Sequence, residues 1–246
     1  MYASRSYLVV GASGTIGSAV AMQLAAPDVV LGLHYCKNAA AATDLQTAIE
    51  KNGSACELMQ SSLANEADCR TLIDAFVAKT GRIDGLALCG GTIRWKEWNG
   101  LATDDWQRTM FEHCIAPFCL ARDAAARMDR SQPGRIVYLS SISPKYGGST
   151  KTVHYAAAKA ALETAMRGMA RELAQSGIRV NGVRAGFVDT PLHRHGRNAD
   201  DVATRVALIP LGRAGKPGEV ASAFAYLFSD NASFINGELI TVAGGD

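Results

Sequence analysis

Short apolar runs alternate with longer, regularly patterned stretches along almost the whole of this 246-residue chain. The runs at 6–10, 28–35, 55–59, 83–89, 135–140, 178–183 and 238–242 are short and rich in β-forming residues, the pattern of strands buried on both faces. Between them, 15–26, 39–52, 65–79, 103–130, 152–176 and 217–228 read as helices. Strict alternation of strand and helix implies right-handed crossovers and a parallel sheet of about seven strands, with helices on both faces. No linker, low-complexity tract or repeat interrupts the pattern, so one α/β domain spans 1–246. Ligands in such sheets sit beyond the carboxyl ends of the strands. Gly11, Cys89, Ser141 and Gly186 each follow a predicted strand, so one crevice should gather them.

The first strand runs directly into Gly11-Ala-Ser13-Gly14-Thr15-Ile16-Gly17, and a helical pattern follows. Strand, glycine turn and helix is the layout in which a helix N-terminus and bare backbone amides meet a pyrophosphate. The fold expected is therefore a single-domain, Rossmann-type doubly wound sheet. A second constellation lies further on. Tyr155 and Lys159 are four residues apart on a predicted helix, hence on one face, and Ser141 precedes them by fourteen residues. Poising a phenol near neutral pH requires about three units, or roughly 4 kcal/mol. An ammonium about 4 Å away supplies a similar amount at an effective dielectric near 20. Lys159 alone is thus expected to make Tyr155 a usable general acid or base.

Composition narrows the picture. Apolar residues make up 48% and charged residues 20%, the profile of a globular protein, and no apolar stretch reaches the length of a membrane helix. A net charge of +2 gives no argument for nucleic acid or a membrane surface. Cys36, Cys56, Cys69, Cys89, Cys114 and Cys119 are scattered without metal-ligand spacing, which fits free thiols in a reducing cytoplasm and implies no metal.

With these residues in place, the chain resembles the short-chain dehydrogenase/reductase family, and within it proteins similar to 3-oxoacyl-carrier-protein reductase. GRIVYLSS, IRVNGVRAGFVDTP, IPLGRAGKPGEVA and INGELITVAGG carry the likeness beside Ser141, Tyr155 and Lys159. The resemblance implies that Tyr155 donates or accepts the substrate proton and Ser141 holds the substrate oxygen. Lys159 is implied to bind the ribose and lower the phenol's pKa. The reaction implied is hydride transfer between a nicotinamide cofactor and a ketone or secondary alcohol. Cofactor contacts are implied at Gly11, Ser13, Gly14, Thr15, Ile16, Gly17, Tyr35, Lys37, Ser62, Leu63, Cys89, Gly90, Gly91, Tyr155, Lys159, Gly186, Val188 and Thr190. A homotetramer built on the Ala-rich helix and its neighbour near 103–130 is also implied.

Several positions depart from the family pattern. The turn has the G-x-x-G-x-x-G spacing of extended relatives such as sugar-nucleotide epimerases, so Thr15 stands where a glycine is usual. The segment after the fourth strand reads Leu88-Cys89-Gly90-Gly91 instead of Asn-Asn-Ala-Gly, and an adenine-side Asp is replaced by Ser62. His113 stands at the active-site asparagine. It is either a proton relay that titrates near neutrality, or a packed or solvated helix histidine. The second strand ends His34-Tyr35-Cys36-Lys37 without an acid, so Lys37, with His34, is expected to meet a 2′-phosphate. NADP(H) is therefore favoured and NAD(H) remains possible.

The substrate is expected between Thr92–Trp98, with Trp95 and Trp98 as apolar surface, and the basic segment Leu192–Arg197. An extra residue near Pro144-Lys145-Tyr146 should alter the substrate mouth. An epimerase and a cofactor-binding regulatory protein without turnover are the competing functions.

Overall fold

The computed structural model describes residues 5–191 and 199–246. Seven strands form one parallel sheet: β1 (Arg5–Val10), β2 (Val29–Tyr35), β3 (Ala55–Gln60), β4 (Gly85–Leu88), β5 (Gly134–Ser141), β6 (Ile178–Ala185) and β7 (Leu239–Val242). Their order across the sheet is β3-β2-β1-β4-β5-β6-β7. The chain reverses direction across the sheet between β1 and β4, and the crevice opens above that point.

Side chains on alternate strand positions feed two separate cores. Val9, Leu31, Leu33 and Val137 face α1 (Thr15–Leu24) and α2 (Ala39–Lys51). Leu8, Leu86, Ile136 and Tyr138 face α3 (Glu66–Thr80) and, further along, α5 (Ala116–Ala125) and α7 (Val153–Leu173). Helix ends follow local chemistry. The Asn38 and Asn65 side chains accept from the amides of Ala41 and Asp68 at the starts of α2 and α3. Gly81, in the left-handed region, closes α3.

The predicted helix 103–130 is in fact α4 (Thr103–Met110), a π-turn at Phe111–Ile115, and α5, which ends at Ala125. Pro117 is the physical reason for the break. It has no amide to give the preceding turn, and the wider π-turn places it at the start of α5. Beyond α5, Asp129 accepts from the amide and hydroxyl of Ser131 and fixes a turn that no helix could continue through. The short α6 (Ser143–Tyr146) and α8 (Ala199–Ala207) are not among the predicted elements; α9 (Pro217–Phe228) is. No described helix is long and apolar enough to cross a membrane.

Candidate active site

Above the carboxyl ends of β1, β4, β5 and β6 lies a cavity of about 720 Å³. Gly11, in the left-handed region at φ +79°, turns the chain out of β1, and Gly17 then packs directly on the Gly11 carbonyl. Thr15 opens α1 as an ordinary helical residue, so the unusual glycine spacing leaves it in no strained conformation. Gly14 precedes α1 without a side-chain cap, and the first helical turn holds no acid. The leading amides of α1 are therefore open to an anion, as a pyrophosphate would need. The close contact of Gly11 with Gly90 keeps the turn low against the end of β4. These features fit a dinucleotide.

The turn has a brace that sequence reading misassigned. His34 Nδ1 accepts from the Gly11 amide at 3.1 Å, and Nε2 donates to the Ser61 carbonyl at 3.1 Å. The ring is 4% exposed, and burial depresses its pKa to about 4. His34 is thus a neutral internal strut and offers nothing to a 2′-phosphate, whereas Lys37 is exposed.

Tyr155 and Lys159 rise from α7 into the floor of the cavity, and Ser141 at the end of β5 joins them there. The Ser141 hydroxyl, which donates to Ser143 at 3.0 Å, lines the same cavity as the Tyr155 phenol. The Lys159 ammonium donates to the Leu139 carbonyl at 2.6 Å and lies 5.8 Å from the centre of the Tyr155 ring. Burial pushes the phenol up to about 12, only partly offset by Ser141, and pulls the ammonium down to about 8. The expectation that Lys159 alone brings Tyr155 to neutrality is therefore not met. Desolvation dominates both groups and outweighs the attraction of an ammonium 5.8 Å from the ring centre. α7 is held in place by Glu163, one turn beyond Lys159. Its carboxylate accepts from Ser140 on β5 and from both sides of the Arg184 guanidinium on β6. No sequence signal had marked that link.

His113 lies in the π-turn, buried, with Nε2 donating to the Thr92 carbonyl at 2.8 Å. Its ring stands edge-on to Tyr155, 4.9 Å between centres, and packs against Gly91. Burial, reinforced by Lys159, lowers its pKa to about 3. A ring so buried and packed, with its pKa held that low, argues against a relay that titrates near neutrality.

Of the other residues singled out from sequence, Gly14, Thr15, Ile16, Gly17, Cys89, Gly90, Gly91, Gly186 and Thr190 line the cavity. Gly11, Ser13, Tyr35, Lys37, Ser62, Leu63 and Val188 do not. Ser62 is tied to Asp68 at 2.9 Å, Leu63 takes the left-handed region at φ +49°, and Val188 pairs with Gly215. Trp95 lines the cavity whereas Trp98 is 65% exposed and does not. Residues 192–197 lie outside the described residues. Tyr146 is part of the wall, as the anomaly near Pro144 suggested. Phe187, Arg205, Leu208 and Asp246 also belong to it and had no motif to reveal them.

His34 and His113, two of the buried imidazoles, make a stability prediction. Unfolding returns each to an ordinary pKa near 6.5, so the folded state favours the neutral form. Their contribution is complete above about pH 6.5 and is lost as pH falls toward 4 and 3, on the order of 3 kcal/mol each at pH 4. Urea midpoints should fall steadily from pH 6.5 to 4.5, above the main carboxylate range. His34→Asn should flatten that slope; an unchanged slope would refute the assignment.

Comparison with known proteins agrees with this geometry. Residues 11–246 match the model of a family described as enoyl-(acyl carrier protein) reductase. The chain is 35% identical to the oxidoreductase YmfI of Bacillus subtilis, covering 98% of each chain. It is 31% identical to 3-oxoacyl-[acyl-carrier-protein] reductase of Synechocystis, over 97% of this chain and 95% of that one. The solved structure of the angucycline C-6 ketoreductase LanV with bound NADP superposes with a TM-score of 0.91 at 28% identity, over 98% of this chain and 95% of that one. The chain belongs to the short-chain dehydrogenase/reductase family. It is an NAD(P)-dependent oxidoreductase acting on a small molecule.

Proposed function

We propose that the protein is an NADP(H)-preferring carbonyl reductase in which Tyr155 delivers the proton. The observation that carries this reading is the burial of Tyr155 in the same cavity as Ser141, Lys159 and the uncapped end of α1. A bound dinucleotide supplies the hydride to the carbonyl carbon. The chain's own residues do the rest. The amides of Thr15, Ile16 and Gly17 would hold the pyrophosphate, Lys159 the nicotinamide ribose, and Gly186 and Thr190 the far end of the cavity. Lys37, exposed beyond a strand end that carries no acid, would take the 2′-phosphate, and the NADP bound to LanV favours the same choice. Ser141 orients the substrate oxygen.

The Tyr155 Oη proton passes to that oxygen as the C–O bond becomes an alcohol, and solvent later restores the phenol. A phenol held near 12 is protonated throughout the neutral range, the form that reduction requires. His113 acts as a neutral positioning residue that fixes the Tyr155 ring. We place the enzyme in the cytoplasm, in keeping with the free thiols of all six cysteines.

The test is NADPH oxidation with a panel of ketones, repeated with NADH. Consumption of NADPH with at least one ketone, faster than of NADH, is expected. Turnover without net oxidation would indicate an epimerase, and binding without turnover a sensor; either would overturn the reading.

The outer surface supports a homotetramer. Ala157, Ala160, Thr164 and Gly168 form an exposed stripe of small residues on α7, and Ile115, at the end of the π-turn, and Phe118, on α5, are exposed. Small side chains let two backbones approach closely, and the apolar pair would be covered in a homotetramer. Sedimentation at micromolar concentration should give a tetramer; a lone monomer would dismiss it.

A further inference from the structure

A second chamber, about 840 Å³, adjoins the catalytic cavity. Ile93, Trp95, Ser149, Arg205 and Leu208 belong to the walls of both, so a substrate passing from one to the other meets these residues. Among the described residues, the cations on this path are already paired. Arg94 forks onto Glu112 at 2.6 and 2.7 Å, and Lys151 faces Glu97 at 3.6 Å. Arg205 pairs with Asp246 while its guanidinium lies 5.9 Å over the Phe187 ring. Asp246, with its side chain 8% exposed, also accepts from the Tyr146 hydroxyl at 2.9 Å. The backbone behind it is fixed by the Leu211 amide, which donates to the Gly244 carbonyl at 3.1 Å. Between this rim and Tyr155 the wall is largely apolar, with Ile93, Trp95, Ile142, Phe187 and Leu208. Among the described residues, Lys159 is the other cation of the inner cavity, and it is already engaged with Leu139.

We propose that Arg205 and Asp246, joined at the rim and braced by Tyr146, select uncharged carbonyl compounds with an apolar body and reject their carboxylates. This rests on the reductase reading above and gives it a substrate class. A carboxylate approaching Arg205 meets a cation whose charge Asp246 has already neutralised. Taking that cation means displacing Asp246 from it, which leaves a nearly buried acid with only a hydroxyl for company. An ester or ketone leaves the pair intact and still covers the apolar wall. Rejection is thus built from a charge held in place against the wrong ligand.

The test compares a 3-oxo acid with its own ethyl ester in NADPH oxidation. The wild-type protein should favour the ester in kcat/KM by about tenfold or more, the equivalent of roughly 1.4 kcal/mol. Asp246→Asn keeps an acceptor for Tyr146 but frees Arg205, so the ratio of acid to ester should rise by about tenfold. Adding Arg205→Gln to that variant should cancel the rise, which a general loosening of the fold would not do, because the ratio is read within one protein. An acid used as well as the ester by the wild type, or an unchanged ratio in Asp246→Asn, would overturn the proposal. Oxidation with neither compound nor any other ketone would instead remove the reductase reading, and this inference with it.

Discussion

Tyr155→Phe should lower kcat for ketone reduction by about 10³-fold while leaving the dissociation constant for NADPH within about twofold. The substitution removes one oxygen and keeps the ring that stands edge-on to His113, so the packing of the cavity floor survives. What disappears is the phenol that shares the cavity with Ser141 and Lys159. Neither neighbour replaces it. Ser141 is a far weaker acid, and the Lys159 ammonium is directed at the Leu139 carbonyl. Single-turnover absorbance with saturating NADPH separates chemistry from binding. A variant retaining more than a tenth of wild-type turnover would show that the proton comes from elsewhere.

Gly17→Ala should have the largest effect on cofactor binding, a loss of at least about 10²-fold in affinity with a destabilisation of about 1–3 kcal/mol. A Cβ at this position would stand 2.1 Å from the Gly11 carbonyl oxygen and 2.8 Å from its carbon. Both are backbone atoms that no rotamer change can move aside. The turn must open, and as it opens it carries the first amides of α1 away from the phosphate position and strains the link from Gly11 to His34. Gly14→Ala is the natural contrast, since its Cβ meets the same carbonyl at 3.3 Å, where a small shift suffices. Fluorescence titration with NADPH and thermal melts of the two variants check the pair. Wild-type affinity in Gly17→Ala would mean that the turn does not carry the dinucleotide.

The sequence pattern carried the sheet because burial on both faces leaves a run of apolar residues that little else explains. Its limits were equally physical. One proline divided the helix predicted over 103–130, and the effect of that proline depends on whether the surroundings support a π-turn or a stop. The glycine turn, Ser141, Tyr155 and Lys159 were legible because backbone approach and proton transfer each demand particular residue types at fixed spacing. Glu163, the anchor of α7, was not, because its partners Ser140 and Arg184 lie more than twenty residues away on two different strands.

Ionisation shows the same division. His34 is buried as a strut between Gly11 and Ser61, and His113 is packed edge-on to Tyr155 where burial lowers its pKa. By itself the sequence determined the alternation of elements, and its local spacing marked the glycine turn, Ser141, Tyr155 and Lys159 as candidates for cofactor binding and proton transfer. Only the tertiary structure decided which groups are buried, what holds their protons, and how Arg205 and Asp246 meet at the substrate rim. Desolvation and long-range pairing depend on neighbours that are distant in the chain, and no local pattern records them.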